Sequence, residues 1–215
     1  MDNLIAEGKL KPFIIVMDNG GNIGGGGRRG GPPDGKTASG GAAPAAGAAP
    51  PAAGQKGGPP GGRGGPGGFN FSAFERVLTD ELIPFIDANY RTLADQPHRA
   101  LAGLSMGGMQ TRTIGLAHLD LFSHLGVLSG GSIEPANITD VGDFKQKVKL
   151  VFVSYGSREL GSDGRSRIGG DPKANAEALK QAGINSVFYL SPDTAHEWQS
   201  WRRSLREFAP LLFAS

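Results

Sequence analysis

The apolar positions of this chain fall into short runs and helical stripes that alternate along most of its length. Residues 1–9 read as the end of a short helix, with Leu4 and Ile5 apolar and Gly8 as a stop. Pro12-Phe13-Ile14-Ile15-Val16-Met17 is a continuous apolar run, which predicts a strand buried on both faces. Asp18-Asn19-Gly20-Gly21 is a turn signal. From Ser72, expected as an N-cap with Glu75 closing a capping box, a helical stripe runs through Phe74, Val77, Leu78, Leu82, Phe85 and Ile86. Pro84 is expected to kink that helix or end its regular hydrogen bonding. Further strands are predicted at 100–104, 124–128, 150–155 and 186–190, and helices at 106–117, 171–182 and 197–213. In the last helix Trp198, Trp201, Leu205 and Phe208 share one stripe. Strand alternating with helix predicts an α/β fold, with a parallel sheet and helices on both faces.

Composition changes the picture at one place. Residues 20–68 contain 21 Gly, 8 Pro and 9 Ala among 49 positions, too little apolar side chain to offset the entropy of ordering. Gly does not recur every third residue, which excludes collagen. The segment is expected to be a disordered insert within one domain built from 1–19 and 69–215. It carries a net charge of +4, so the remainder is −2, and the basic balance of the whole chain marks no nucleic-acid surface. With no Cys, disulfide and zinc-ribbon scaffolds are excluded. No apolar run approaches the roughly 18 residues of a membrane span, so neither nucleic acid nor membrane is expected as a partner. The opening residues lack the basic start and apolar core of a signal peptide; only a signal upstream of Met1 would make the protein secreted.

The chemistry gathers where parallel strands end. Gly103-Leu104-Ser105-Met106-Gly107 matches G-x-S-x-G, set between an apolar strand and a helix. A serine on so sharp a turn projects its hydroxyl clear of the sheet, and flanking glycines let the backbone fold tightly. The Met106 backbone N–H then stands ready to donate to an oxyanion. A serine hydroxyl needs a base. Of four histidines, His98, His118 and His124 sit at positions that suit structural or surface roles, whereas His196 follows the last strand in the loop Ser191–His196. The acid that orients the imidazole should follow the strand ending at Tyr155, with Glu159 favoured over Asp163, Asp171 and Asp193. Trp198 is a candidate wall for a sugar or aryl group, and Trp201 is expected in the core.

Ala102-Gly103-Leu104-Ser105-Met106-Gly107-Gly108, Gly156-Ser157-Arg158-Glu159 and Ala195-His196-Glu197-Trp198 together resemble the esterase D-like α/β-hydrolases. That group includes the feruloyl and acetyl-xylan esterases of carbohydrate esterase family 1 and the enterochelin esterases. Glu81-Leu82-Ile83-Pro84, Asn89-Tyr90-Arg91 and Trp201-Arg202-Arg203-Ser204-Leu205 extend the likeness, which covers 1–18 and 69–213. The resemblance implies hydrolysis of carboxylic esters through an acyl-serine without metal or cofactor, with Ser105 as nucleophile, His196 as base and Glu159 as acid. It also implies upstream strands and a His-Gly-Gly-like loop carrying a second oxyanion donor; no such motif precedes Ser105.

The chain therefore reads as an α/β-hydrolase-type domain truncated at its N-terminal side. The strand implied between 12–17 and the elbow strand is missing. The gap is filled by a longer gene product, by closure of the two strands, or by a second copy in a homo-oligomer. The function expected is a serine carboxylesterase acting on feruloyl or acetyl esters of plant polysaccharide or on small aryl esters. The alternative is a non-catalytic remnant serving as a binding or assembly module.

Overall fold

The structure, a computed structural model, describes residues 2–18, 70–168 and 170–213. The Gly/Pro/Ala insert lies outside the described residues. Asp2–Ala6 forms helix α1, closed as expected by Gly8 at φ +67°, where the Lys9 N–H reaches back to the Leu4 carbonyl at 2.9 Å.

The apolar run 12–17 corrects the sequence reading. It is coil without a ladder partner, and Ile14 and Ile15 are each 49 % exposed and Met17 89 %. A strand is stable only when its N–H and C=O groups find a neighbouring strand, and no described strand lies alongside this segment. Phe13 alone is anchored, meeting the Phe213 ring edge-on at 5.9 Å. Closure of 12–17 onto the elbow strand therefore does not occur.

Ordered structure resumes with α2 (Ser72–Arg76), a π-helical stretch (Val77–Leu82) and α3 (Ile83–Asn89). Phe71, one residue earlier than expected, caps α2, and the Glu75 carboxylate meets His118 Nε2 at 2.6 Å rather than completing a capping box at Ser72. Pro84 acts by widening the helix. Lacking an N–H and crowding the carbonyl four residues back, it is accommodated by i→i+5 bonding, with the Ile83 N–H donating to the Leu78 carbonyl.

Strands β1 (Ala100–Leu104), β2 (His124–Leu128), β3 (Leu150–Gly156) and β4 (Ser186–Ser191) form one parallel sheet in the order β1-β2-β3-β4. Helices α4 (Met106–Ala117), α5 (Val141–Lys147) and α6 (Pro172–Gln181) make the crossovers between them, and α7 (Trp198–Phe208) follows β4. Each strand adds to the same edge, so right-handed crossovers place α4, α5 and α6 on one face. Ile114, Phe144 and Leu179 from those helices are buried there against Leu125, Val151, Val153 and Tyr155. The other face is left to α7, whose Phe208 packs on Phe152 at 5.0 Å beside Leu150 and Leu212. Alternation along β3 thus serves two cores, as expected for a strand covered on both sides.

Two details depart from the apolar pattern. Helix α5 has no stripe strong enough to announce it, yet Asp140 caps it by accepting the Asp143 N–H at 3.0 Å. In α7 the buried positions are Ser200, Ser204 and Phe208, while Trp198 (64 %) and Leu205 (41 %) are exposed, so the expected four-residue stripe is rotated.

His124 opens β2 at 5 % exposure. Its Nδ1 lies 2.7 Å from Ser123 Oγ, and its Nε2 accepts the Phe213 N–H at 3.3 Å. Burial, aided by the nearby Lys149 cation, lowers its pKa to about 4. The unfolded chain takes up this proton near 6.5 and the folded chain only near 4. The stability His124 contributes is therefore complete above 6.5 and lost progressively as pH falls toward 4. Thermal melts of the native protein and His124→Asn across that window are expected to converge as pH drops; parallel curves would show that His124 plays no part in the pH dependence.

Candidate active site

Ser105 stands between β1 and α4 at φ +54°, ψ −118°, the strained turn expected of a nucleophile elbow. The glycines around it divide the steric work differently from the expectation. A Cβ on Gly103 would sit 2.2 Å from the Gly107 carbonyl oxygen, and one on Gly108 would sit 2.9 Å from Gly130 Cα. A Cβ on Gly107 meets nothing closer than 4.0 Å. Close approach thus requires glycine at 103 and 108, whereas at 107 it does not. Gly103→Ala is expected to cost about 3 kcal/mol through forced backbone movement, and Gly107→Ala to be neutral or stabilising by about 0.5–1 kcal/mol. Chemical denaturation of the two variants checks the contrast.

At the same rim, His196 bridges the other two residues. Its Nε2 lies 2.8 Å from Ser105 Oγ and its Nδ1 2.7 Å from Glu159 Oε1. The Glu159 side chain is 8 % exposed, against 47 % for His196. Its second oxygen accepts the Gly156 N–H at 2.6 Å and the Ser129 hydroxyl at 2.8 Å. Ser129 in turn accepts the Trp201 indole N–H at 3.1 Å, and the Trp201 ring stands edge-on to the imidazole at 5.1 Å. Trp201 is half-buried at the site rather than in the core.

Sequence reasoning missed Ser129. The one signal for it was Ser129-Gly130-Gly131 directly after an apolar strand, and its left-handed φ of +50° aims the side chain at the acid.

The alternatives are accounted for elsewhere. Asp171 caps α6 by accepting the Ala174 N–H, and Asp163 accepts the Arg165 N–H. Asp193 is exposed, its backbone N–H bonded to Ser157 Oγ. His98 pairs with Asp95, His118 with Glu75, and His124 is enclosed at the far end of β2. Met106 is the first residue of α4, so its N–H has no acceptor within the helix. Trp198 stands exposed, 6.5 Å from Trp201 and perpendicular to it. Among the described residues no cluster of His, Asp and Glu has the make-up of a metal site.

A parallel sheet covered by helices, with a strained strand–turn–helix serine at its carboxyl rim, defines an α/β-hydrolase-type fold. The Esterase family model, described as "Putative esterase", matches residues 57–210. The chain belongs to this esterase family. It is 38 % identical over 213 residues to an endo-1,4-beta-xylanase/feruloyl esterase of Xylanibacter ruminicola, covering 99 % of this chain and 23 % of that one. Among solved structures it is similar to a ferulic acid esterase (TM-score 0.51, 24 % identity, 65 % of this chain and 60 % of that one). It is likewise similar to a CE1 ferulic acid esterase of Anaeromyces mucronatus in complex with ferulic acid (TM-score 0.50, 18 % identity, 66 % and 55 %). The chain thus spans under two thirds of the length of these relatives.

Proposed function

We propose that this protein is a serine carboxylesterase that works through an acyl-serine intermediate. The observation that carries the reading is the unbroken hydrogen-bonded series Ser105–His196–Glu159 at the rim of the sheet. Ser105 Oγ attacks the ester carbonyl as its proton passes to His196 Nε2. The tetrahedral oxyanion is met by the Met106 N–H at the positive end of α4. His196 returns the proton to the departing alcohol, leaving Ser105 acylated. Water, deprotonated by the same imidazole, then releases the acid. Glu159 holds Nδ1–H toward itself and so keeps Nε2 free to accept.

The substrates proposed are feruloyl or acetyl esters carried on plant polysaccharide, or small aryl esters. Membership of the esterase family and likeness to a xylanase/feruloyl esterase support that class. Trp198, exposed beside Trp201, would provide a stacking face for an aryl or sugar ring. A fluorophosphonate probe is expected to label Ser105 in the folded protein and to block p-nitrophenyl acetate turnover. Absence of labelling would defeat the reading.

A second reading has its own observation. Among the described residues β1 pairs only with β2, and 12–17 stays outside the sheet. A non-catalytic binding or assembly module would carry such an edge, and a second copy that completes the sheet would pair with it. Size-exclusion chromatography with an activity assay separates the readings: an active monomer defeats the module, and an inactive oligomer supports it.

A further inference from the structure

Immediately beyond Glu159 the chain folds into a small hairpin. Leu160 and Ser166 form an antiparallel bridge, the Gly161 N–H donates to the Arg165 carbonyl at 2.8 Å, and the Ser166 N–H to the Gly170 carbonyl at 2.8 Å. Tyr155 ties this hairpin to the turn after β2. Its phenol oxygen accepts the Gly131 N–H at 2.8 Å and lies 3.2 Å from the Ile168 carbonyl. Burial raises the phenol above its usual range, so it stays a neutral donor. Just before the hairpin, the Arg158 N–H donates to the Thr194 carbonyl in the loop that carries His196, at 2.8 Å.

The hairpin borders an open depression of about 370 Å³ beside Glu159, lined by Arg158, Arg165, Arg167, Asp163 and Ser166 among others. Among the described residues none of the three guanidinium groups forms an ion pair or a side-chain hydrogen bond. The two carboxylates on the wall are committed: Glu159 to His196, and Asp163 to the Arg165 N–H. Three exposed arginines, unpaired among the described residues and lining one open depression, offer an anion three cationic donors with no internal competitor to displace. Arginine's planar fork matches a carboxylate in two parallel bonds, which favours a carboxylate over a spherical anion.

The geometry points to a subsite in this depression for a carboxylate carried by the substrate, as on a uronate-bearing saccharide ester. The acidic sugar sits at Arg158, Arg165 and Arg167 while the ester lies at Ser105. The inference rests on the esterase reading for which molecule brings the carboxylate, and its binding test is independent of turnover. Calorimetric titration of Ser105→Ala with a glucuronate-substituted xylo-oligosaccharide is expected to show about ten-fold tighter binding than the unsubstituted oligosaccharide of equal length. Salt is expected to erode the preference, and the further changes Arg165→Gln and Arg167→Gln to abolish it. Equal binding of the two saccharides, or a preference that survives the double change, would overturn the subsite. So would displacement by an equal concentration of sulfate, which would mark a general anion site. In the native background the double change should leave p-nitrophenyl acetate turnover within about two-fold, because neither arginine touches the Ser105–His196–Glu159 series. Preferential binding by a protein that turns over no ester would leave the subsite standing and remove the esterase reading.

Discussion

Ser105→Ala is expected to lower kcat on p-nitrophenyl acetate by about 10⁵–10⁶-fold. In the proposed mechanism the nucleophile and its base act as a unit, so loss of either leaves only the backbone donor and binding to accelerate attack by water. The fold should survive. Alanine keeps the Cβ that already tolerates φ +54°, and the elbow's backbone bonds, including Ser105 N–H to the Leu128 carbonyl at 2.8 Å, do not involve the hydroxyl. His196→Ala should fall to the same floor, and the double variant no lower. Turnover by Ser105→Ala above about a hundredth of native, in protein with native melting behaviour, would remove Ser105 from the chemistry.

Glu159→Gln is expected to cost about 10³–10⁴-fold in kcat with little change in KM. The reason lies in the donors around the carboxylate. The Gly156 N–H is fixed by backbone at 2.6 Å from Oε2 and can only donate, and the Ser129 hydroxyl, already accepting from Trp201, donates to the same oxygen. A glutamine must therefore place its own oxygen there, which turns its NH₂ toward His196 Nδ1. The amide then selects the tautomer protonated on Nε2, which cannot accept the serine proton. Ser129→Ala leaves the Gly156 N–H in place, so adding it to Glu159→Gln should recover little of the loss. A glutamine oxygen seen facing His196 in the Glu159→Gln variant would refute the tautomer argument.

Much of this arrangement was legible in the chain itself. The strand–turn–helix setting of Gly103–Gly107 located the elbow because the required backbone is so strained that the residues able to form it are few. His196 and Glu159 were accessible through chain order and through the rule that loops after parallel strands open on the same rim. Ser129 and Trp201 were not. Each is an ordinary residue by type, and its part in the site depends on where β2 ends relative to α7, which sequence separation conceals. The Gly108–Gly130 approach is of the same kind, a contact between elements whose distance no local pattern encodes. In α7 the indole of Trp201 is drawn to Ser129, and the small side chains of Ser200 and Ser204 let the helix lie close to the sheet, so the apolar period alone misjudged the inward face.

The segment 12–17 shows the opposite limit. Its composition specifies extended, apolar chain, and the local preference is plain. Whether it becomes a strand is decided by the presence of a neighbour, since ladder hydrogen bonds belong to pairs of strands and never to one. Sequence alone thus determined the succession of β1 to β4, the strained serine and the identities of the imidazole and carboxylate facing it, because those follow from local backbone chemistry and from the handedness of parallel crossovers. Tertiary structure alone decided which apolar runs pair, which face of the last helix is buried, and which donors hold Glu159, because each is a contact between residues far apart in the chain.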